Sequence, residues 1–276
     1  MNKSEMKIAN YQLVSIITPT LNSERFIGDN IKSILNQTYT NIEHIIIDGG
    51  STDNTLAFVK SSDPKAIVIS EPDKGISDAF NKGLKIAKGD IIAILNSDDY
   101  YAHNQVVQQI VDIFSSKEYI KMIYGKLRSI EQETGKTMFR LGEPFSSEKM
   151  RRELITHHPA VFARREVYET VGHFLLEYKV CMDHEYFLRV TQLYEPYFID
   201  EVLTIMRWGG CSTGSAGNMY LGHRETYRIL RSNGVNRISA LINLAYRYTL
   251  TSLSLALQKI GLTNLVLFYR KLKGRL

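Results

Sequence analysis

LVSIITPTLN, residues 13–22, opens with an unbroken apolar run rich in β-branched residues and ends in a polar turn. A run of this kind, bounded by turn residues, reads as a strand buried on both faces. The same grammar recurs three times downstream. IEHIIID (42–48) runs into DGGSTDNT, AIVIS (66–70) into EPDK, and DIIAILN (90–96) into SDD. Helical spacing fills the gaps. Ser23 is expected to cap a helix that puts Ile27, Ile31, Ile34 and Leu35 on one face. A short helix follows DGGSTDNT, GISDAFNKGLKIA (75–87) forms a third that stops at Gly89, and NQVVQQIVDIFS (104–115) a fourth. Strands alternating with helices at this spacing predict an α/β fold, a mostly parallel sheet flanked by helices.

Beyond residue 120 the pattern changes. KMIYGKLRSI and KTMFRLG read as a hairpin around Glu133-Thr134-Gly135. Helices are expected over 146–154, 164–171 and 182–194, and strands over 159–163 and 197–206. WGGCSTGSAGN (208–218) is a Gly-rich loop before a helical C-terminal extension. The chain therefore divides into 1–130, 131–222 and a tail from 223 to 276.

Composition sets bounds on this reading. With 44% hydrophobic and 23% charged residues over 276 positions, a disordered or collagen-like chain is excluded. Two cysteines, Cys181 and Cys211, lack CxxC spacing, so a reducing compartment is expected. The opening MNKSEMKIANYQ has no apolar core of a secretory signal. The net charge of +5 hides a split: from His223 onward ten Lys/Arg face one acid, Glu225, leaving −4 on the preceding 222 residues. A basic tail on an acidic body points to an anionic partner. The stretch 238–269 is also apolar, but Arg247 and Lys259 interrupt it before the roughly 18–20 residues that a bilayer span requires. Helices lying in a membrane interface are the favoured reading, against a cap packed on the body with its charges in water. No nucleic-acid-binding motif accompanies the charge. The expected location is cytoplasmic, at the inner face of the plasma membrane.

In parallel sheets ligands bind beyond the C-terminal ends of the strands. The polar clusters sit there: Pro19 to Asn22, Asp48 to Ser51, Glu71 to Lys74, and Asn96 to Asp99. Dinucleotide binding is disfavoured by the absence of GxGxxG, a P-loop by the absence of GxxxxGK[ST], and a serine hydrolase by the absence of GxSxG. His157-His158 lacks zinc-ligand spacing. A carboxylate site remains. Adjacent Asp98 and Asp99 repel unless a cation offsets them, and oxygen ligands suit Mg2+ or Mn2+, which take one or two protein carboxylates plus substrate phosphates. A helix N-cap is the plainer alternative for the same residues.

Taken in order, VSIITPTLN, IIIDGGSTDNT, EPDKGISDAFNKGL and AKGDIIAILNSDDYY resemble family 2 of the inverting glycosyltransferases, enzymes of GT-A fold. The likeness is close over 13–101 and looser through HHPAVFARREVYETVGHF and CMDHEYFLRV. It implies a nucleotide-sugar donor, usually a UDP-sugar, in the first half and a glycan or glycolipid acceptor in the second. On it, Pro19, Thr20 and Asn22 line the nucleoside pocket, and Asp48 stands near the base or ribose. Asp73, Lys74, Asp78 and Asn81 surround ribose, sugar and phosphates. Asn96-Ser97-Asp98 occupies the place of the DxD motif, with Asp98 holding Mn2+ or Mg2+ on the diphosphate and Asp99 sharing the load. Asp183 falls where the family keeps its catalytic base, with Glu185 the alternative base or an acceptor contact. His158 is a candidate acceptor or diphosphate contact or, equally, a structural histidine beside Pro159, and Arg207 is a candidate phosphate or acceptor contact. Trp208 reads as core packing or an acceptor platform, and Tyr100 and Tyr101 as packing beside the metal loop.

Three positions depart from the family pattern. Asn96 stands where Asp is frequent, Gly49 follows Asp48 where a second Asp is common, and Phe80 replaces a frequent Arg. The processive signature QxxRW is reduced to Arg207-Trp208, so transfer of a single sugar is expected. Two other classes stay open: a nucleotidyltransferase, which would want a Gly-rich basic triphosphate loop in place of TPTLNSERF, and a non-catalytic nucleotide-sugar-binding scaffold, for which Asn96 and Phe80 speak.

Overall fold

The computed structural model describes residues 12–209 and 215–262. The N-terminal segment read for a signal, Cys211 and the basic cluster at 270–275 lie outside these residues. The four apolar runs form β1 (Val14–Thr20), β2 (Ile42–Asp48), β3 (Ile67–Ser70) and β4 (Ile91–Ile94). They lie parallel in the order β3-β2-β1-β4, with Val14 level with both Ile42 and Ile91. α1 (Ile27–Leu35), α2 (Thr55–Ser62) and α3 (Ile76–Ile86) make the crossovers.

The sheet continues through β8 (Val161–Arg164), β6 (Met122–Glu131), β9 (Tyr197–Trp208) and β5 (Tyr100–Tyr101). β6 is long enough to pair antiparallel with β8 over its first residues and with β7 (Thr137–Leu141) over its last. On its other edge β6 runs parallel to β9. The expected hairpin is β6-β7, turning at Gly135, whose φ of 67° suits glycine. Because β6 crosses residue 130, both halves of the body share one sheet.

Alternation along the central strands serves two cores. Ile17, Ile45, Ile47, Ile92 and Ile94 face one side, under α3, α6 (Arg165–Val171) and α7 (Met182–Leu193), where Phe80, Tyr186 and Phe187 pack. Val14, Ile16, Ile91 and Ala93 face the other, against Val106, Val107, Ile110 and Phe114 of α4 (Val106–Ser116). Each such side chain, withdrawn fully from water, contributes on the order of 1.5–3 kcal/mol before entropy is counted.

Two local expectations are corrected. Ser23 caps nothing: α1 starts at Ile27, and the Ser23 hydroxyl instead meets the Ser97 hydroxyl at 2.8 Å. The strand expected at 159–163 begins as a 3-10 turn, His158–Ala160, because Pro159 has a fixed φ and no N–H to give a ladder. Tyr100-Tyr101 is a strand, β5, paired with Ile205 and Thr204 of β9.

The extension consists of α8 (Ala216–Ser232) and α9 (Arg237–Lys259), so the charge change at 223 falls inside a helix. α9 leans on α8 through Tyr248, stacked on Tyr220 at 4.9 Å, and through a Thr251 to His223 hydrogen bond of 2.8 Å. Its other face exposes Ile238, Leu241, Ile242, Tyr246 and Leu253. Among the described residues no helix is long and apolar enough to cross a membrane.

Candidate active site

The C-terminal ends of β1 and β4, the 3-10 turn, the start of α7 and the end of β9 open onto one cleft of about 990 Å³. Of the residues singled out from sequence, Pro19, Thr20, Asn22, Asp73, Asn96, Ser97, Asp98, Asp99, His158, Asp183 and Arg207 line it. Asp48, Lys74, Asp78, Asn81 and Glu185 do not.

Those five have other work. Asp48 is fully buried and collects the amides of Gly50 and Ser51 and the hydroxyls of Ser51 and Ser70. It shapes the loop after β2, with both oxygens engaged in hydrogen bonds. Asp78 accepts from the Lys74 amide at the start of α3 and pairs with Lys82. Asn81 clamps Phe174 through both its amide N–H and its carbonyl. Glu185 is held by Arg189, which also binds the carbonyls of Val171 and His173. Lys74 is exposed beside the cleft, and its carbonyl receives the Lys179 ammonium at 2.8 Å.

On the donor-side wall, Asn22 adopts φ 48°, a turn conformation that asparagine tolerates, and its side chain accepts from the Thr52 amide at 2.9 Å. Thr20 Oγ1 is buried without a hydrogen-bond partner among the described residues. A Cβ at Gly49 would lie 2.6 Å from Asp73 Oδ2, so a side chain there would need that carboxylate to turn aside. Asp73 itself turns the chain by accepting from the Gly75 amide at 2.8 Å.

Asn30, fully buried on α1, fixes the loop after β4 by donating to the carbonyls of Asn96 and Asp99. Sequence reading misses it, because a lone polar residue on an apolar helix face carries no motif. From the far side, Arg207 donates to the Asp98 carbonyl at 2.8 Å and pairs with Asp29. Its guanidinium sits between the rings of Phe26 and Tyr100, 4.9 Å from each centroid. Arg207 thus braces the acidic loop, and Phe26, Asp29 and Tyr100 brace Arg207. Trp208 lies edge-on to Phe139 at 4.9 Å on the cleft wall.

The two acids differ in position. Asp98 is half-buried on the cleft wall, whereas Asp99 is fully buried behind it, one oxygen accepting from Asn96 at 3.2 Å and the other without a partner among the described residues. Burial raises both carboxyls above the ordinary range, Asp99 well above, with the Asp98 charge adding to its shift. Asp98 is therefore the carboxylate more open to the cleft, and Asp99 the one withdrawn from water. Among the described residues no group of three or more His, Cys, Asp or Glu could by itself hold a metal. The donor set fits a hard cation that takes one carboxylate here and its other oxygens from a bound diphosphate.

Opposite stands Asp183, in the first turn of α7 and 8% exposed. One oxygen accepts from the His184 amide at 2.8 Å and the other lies 3.1 Å from His158 Nδ1. Burial raises its carboxyl, but the His158 hydrogen bond and the surrounding histidines outweigh this and hold it below the usual range. The loop leading to α7 is set by Glu225 of α8, whose carboxylate accepts the amides of Lys179, Val180 and Cys181 at 2.7–2.9 Å. The single acid of the basic tail is thus part of the frame of the site. Cys181 is packed against Gly222, its thiol pushed by burial to about 12, which fits an inert side chain.

A nucleotide-sized cleft at the parallel strand ends, a carboxylate on one wall and an ionised carboxylate on the other define a group-transfer site. The family model "Glycosyl transferase family 2" matches residues 15–172. An uncharacterised glycosyltransferase of Mycobacterium tuberculosis is 33% identical over 193 residues, 69% of this chain and 73% of that one. A PGL/p-HBAD biosynthesis glycosyltransferase of Mycobacterium bovis is 30% identical over 183 residues, 64% and 69% of the two chains. Among solved structures, Staphylococcus aureus TarS 1–349 in complex with UDP-GlcNAc superposes with a TM-score of 0.60 at 20% identity, over 86% of this chain and 71% of that one. A longer TarS structure is covered to 43%. A Pyrobaculum calidifontis mannosyltransferase in complex with GDP-Man and Mn2+ gives 0.62 at 16% identity, over 95% and 87%. The chain belongs to glycosyltransferase family 2. It is a glycosyltransferase of GT-A fold.

Proposed function

We propose that the protein transfers one sugar from a nucleotide-sugar, a UDP-sugar by preference, to a hydroxyl of a glycan or glycolipid acceptor, with inversion and with a divalent cation. The observation that carries this reading is that Asp98 and Asp183 line one and the same cleft. Thr20, Asn22 and Asp73 hold the nucleoside side, and Asp98 holds Mn2+ or Mg2+. When bound, the cation neutralises charge on the departing diphosphate. Asp183, ionised and within the cleft, accepts the proton of the attacking hydroxyl. Attack from the face opposite the nucleotide inverts the anomeric carbon without a covalent intermediate.

Calorimetric titration with UDP tests the donor half of this proposal. Micromolar binding that needs both Mn2+ and Asp98 supports it, and binding unaffected by Asp98→Ala removes Asp98 from the metal site. If GDP or dTDP binds in place of UDP, the donor class changes and the rest stands.

We further assign α9 to an anionic membrane surface. Its exposed Ile238, Ile242, Tyr246 and Leu253 share a face, and Arg224, Arg228, Arg231 and Arg237 lie on the same helical pair. A location at the inner face of the plasma membrane follows from this assignment. Flotation with phosphatidylglycerol vesicles tests it: Ile242→Glu with Leu253→Glu should abolish binding while leaving the melting temperature unchanged. Undiminished flotation of the double variant would refute the assignment.

A further inference from the structure

His158 stands between the two acidic walls. Its Nδ1 lies 3.1 Å from Asp183 Oδ2, and its Nε2 lies 3.2 Å from Asn96 Oδ1. Asn96 in turn donates through Nδ2 to Asp99 Oδ2 at 3.2 Å. The result is one hydrogen-bonded chain, Asp183–His158–Asn96–Asp99, that runs from α7 to the loop after β4. The ring is fixed from the side by Phe80, fully buried, at a centroid distance of 5.3 Å and tilted by 56°. Its backbone is held as well, since His158 opens the 3-10 turn with Pro159 directly behind it. With both nitrogens engaged and one face packed, the imidazole has no nitrogen left for a substrate.

We propose that His158 is a positioning residue that aims Asp183 at the acceptor hydroxyl by tying it to the loop that carries Asp98; this rests on the glycosyl-transfer reading above. Asn96 is the matching part. As an amide it presents both an acceptor and a donor between the His158 ring and Asp99, which a carboxylate at 96 could not offer. An acid there would leave Asp99 without its donor and set a third negative charge beside Asp98.

The test joins kinetics to a readout that needs no substrate. His158→Ala should lower kcat about 100-fold, the scale of a misplaced reacting group, with acceptor KM and the UDP dissociation constant within about twofold. His158→Gln, which keeps an amide N–H toward Asp183, should recover to within about tenfold of the parent. Asn96→Ala should lower kcat as well, and the loss in the double variant should be smaller than the product of the two single losses. A rise in acceptor KM at unchanged kcat, or a loss of UDP affinity beyond tenfold, would make His158 a ligand contact and overturn the proposal. In parallel, side-chain 15N NMR of His158 in the full chain should show Nδ1 shifting in Asp183→Asn and Nε2 shifting in Asn96→Ala. Absence of both shifts overturns the chain itself. Both shifts in a protein that binds no nucleotide would instead refute the donor reading and leave the positioning chain standing.

Discussion

Residues 96–99 and residues 181–185 each bring acids to the cleft, and the protein treats them in opposite ways. The first stretch sets a half-buried and a fully buried carboxyl side by side and raises both above the ordinary range. The second surrounds one carboxyl with histidine and lowers it. A carboxylate held at a cost by its neighbours gains most from an arriving cation, whereas one already satisfied in its ionised form is ready to accept a proton over a broad pH range. The same residue type is thus given two tasks by its surroundings alone.

Four measurements would break or sharpen that contrast. The largest effect belongs to the second stretch: Asp183→Asn should cut turnover by about 10³-fold, within the range for loss of an acid–base group, with the UDP dissociation constant unchanged. Steady-state rates and calorimetry on one preparation check this, and turnover within tenfold of the parent would remove Asp183 as base. Asp98→Ala comes next, with a loss of about 10²-fold in turnover. Unlike Asp183→Asn, it should also erase the Mn2+ dependence of UDP binding.

The third measurement concerns the frame. Glu225→Ala leaves three amides before α7 without their acceptor, at a cost of about 3 kcal/mol. Urea unfolding would register it as a lower midpoint at an unchanged slope, and no drop in midpoint would show that water replaces the carboxylate. The smallest effect is electrostatic. Asp98 and Asp99 bind protons more tightly folded than unfolded, so stability without metal should fall as pH rises from 3.8 through their raised values. Asp183 contributes oppositely: its stabilisation is present above 3.8 and is lost as pH falls through its lowered value. Melting curves from pH 4 to 8 should therefore show Asp99→Asn gaining on the parent toward pH 8, by a few degrees, and Mn2+ narrowing the gap. A constant difference across pH would deny Asp99 its raised proton affinity.

The sheet is legible in the sequence because β1 and β4 are buried along their whole length and so are mostly apolar; the edge strand β3 is largely exposed and shows only in its β-branched residues. β5 is not legible, since two residues carry no period and Tyr100-Tyr101 becomes a strand only when β9 arrives beside it. The donor wall is legible for a related reason: a strand that ends in a polar cluster puts that cluster at the sheet edge. The contacts that join the walls span the chain, 62 residues from Asn96 to His158 and 178 from Asp29 to Arg207, and nothing local announces them. Asp48, Asn81 and Glu185 resemble ligand contacts in sequence, but none of the three lines the cleft. A polar side chain near a cleft meets its neighbours in the fold first, and backbone groups or Arg189 have taken these three. Asn96 and Phe80 look like losses from the family pattern, yet both touch His158.

Trp208 is the sole tryptophan of the chain, and it lines the cleft. Its edge-on contact with Phe139 sets the surroundings of the indole. Ultraviolet emission excited at the long-wavelength edge, where tyrosine absorbs little, therefore arises from a single chromophore at the place where ligands enter. Each nucleotide, cation or acceptor can be followed by that light in unlabelled protein, before the transferred sugar is known.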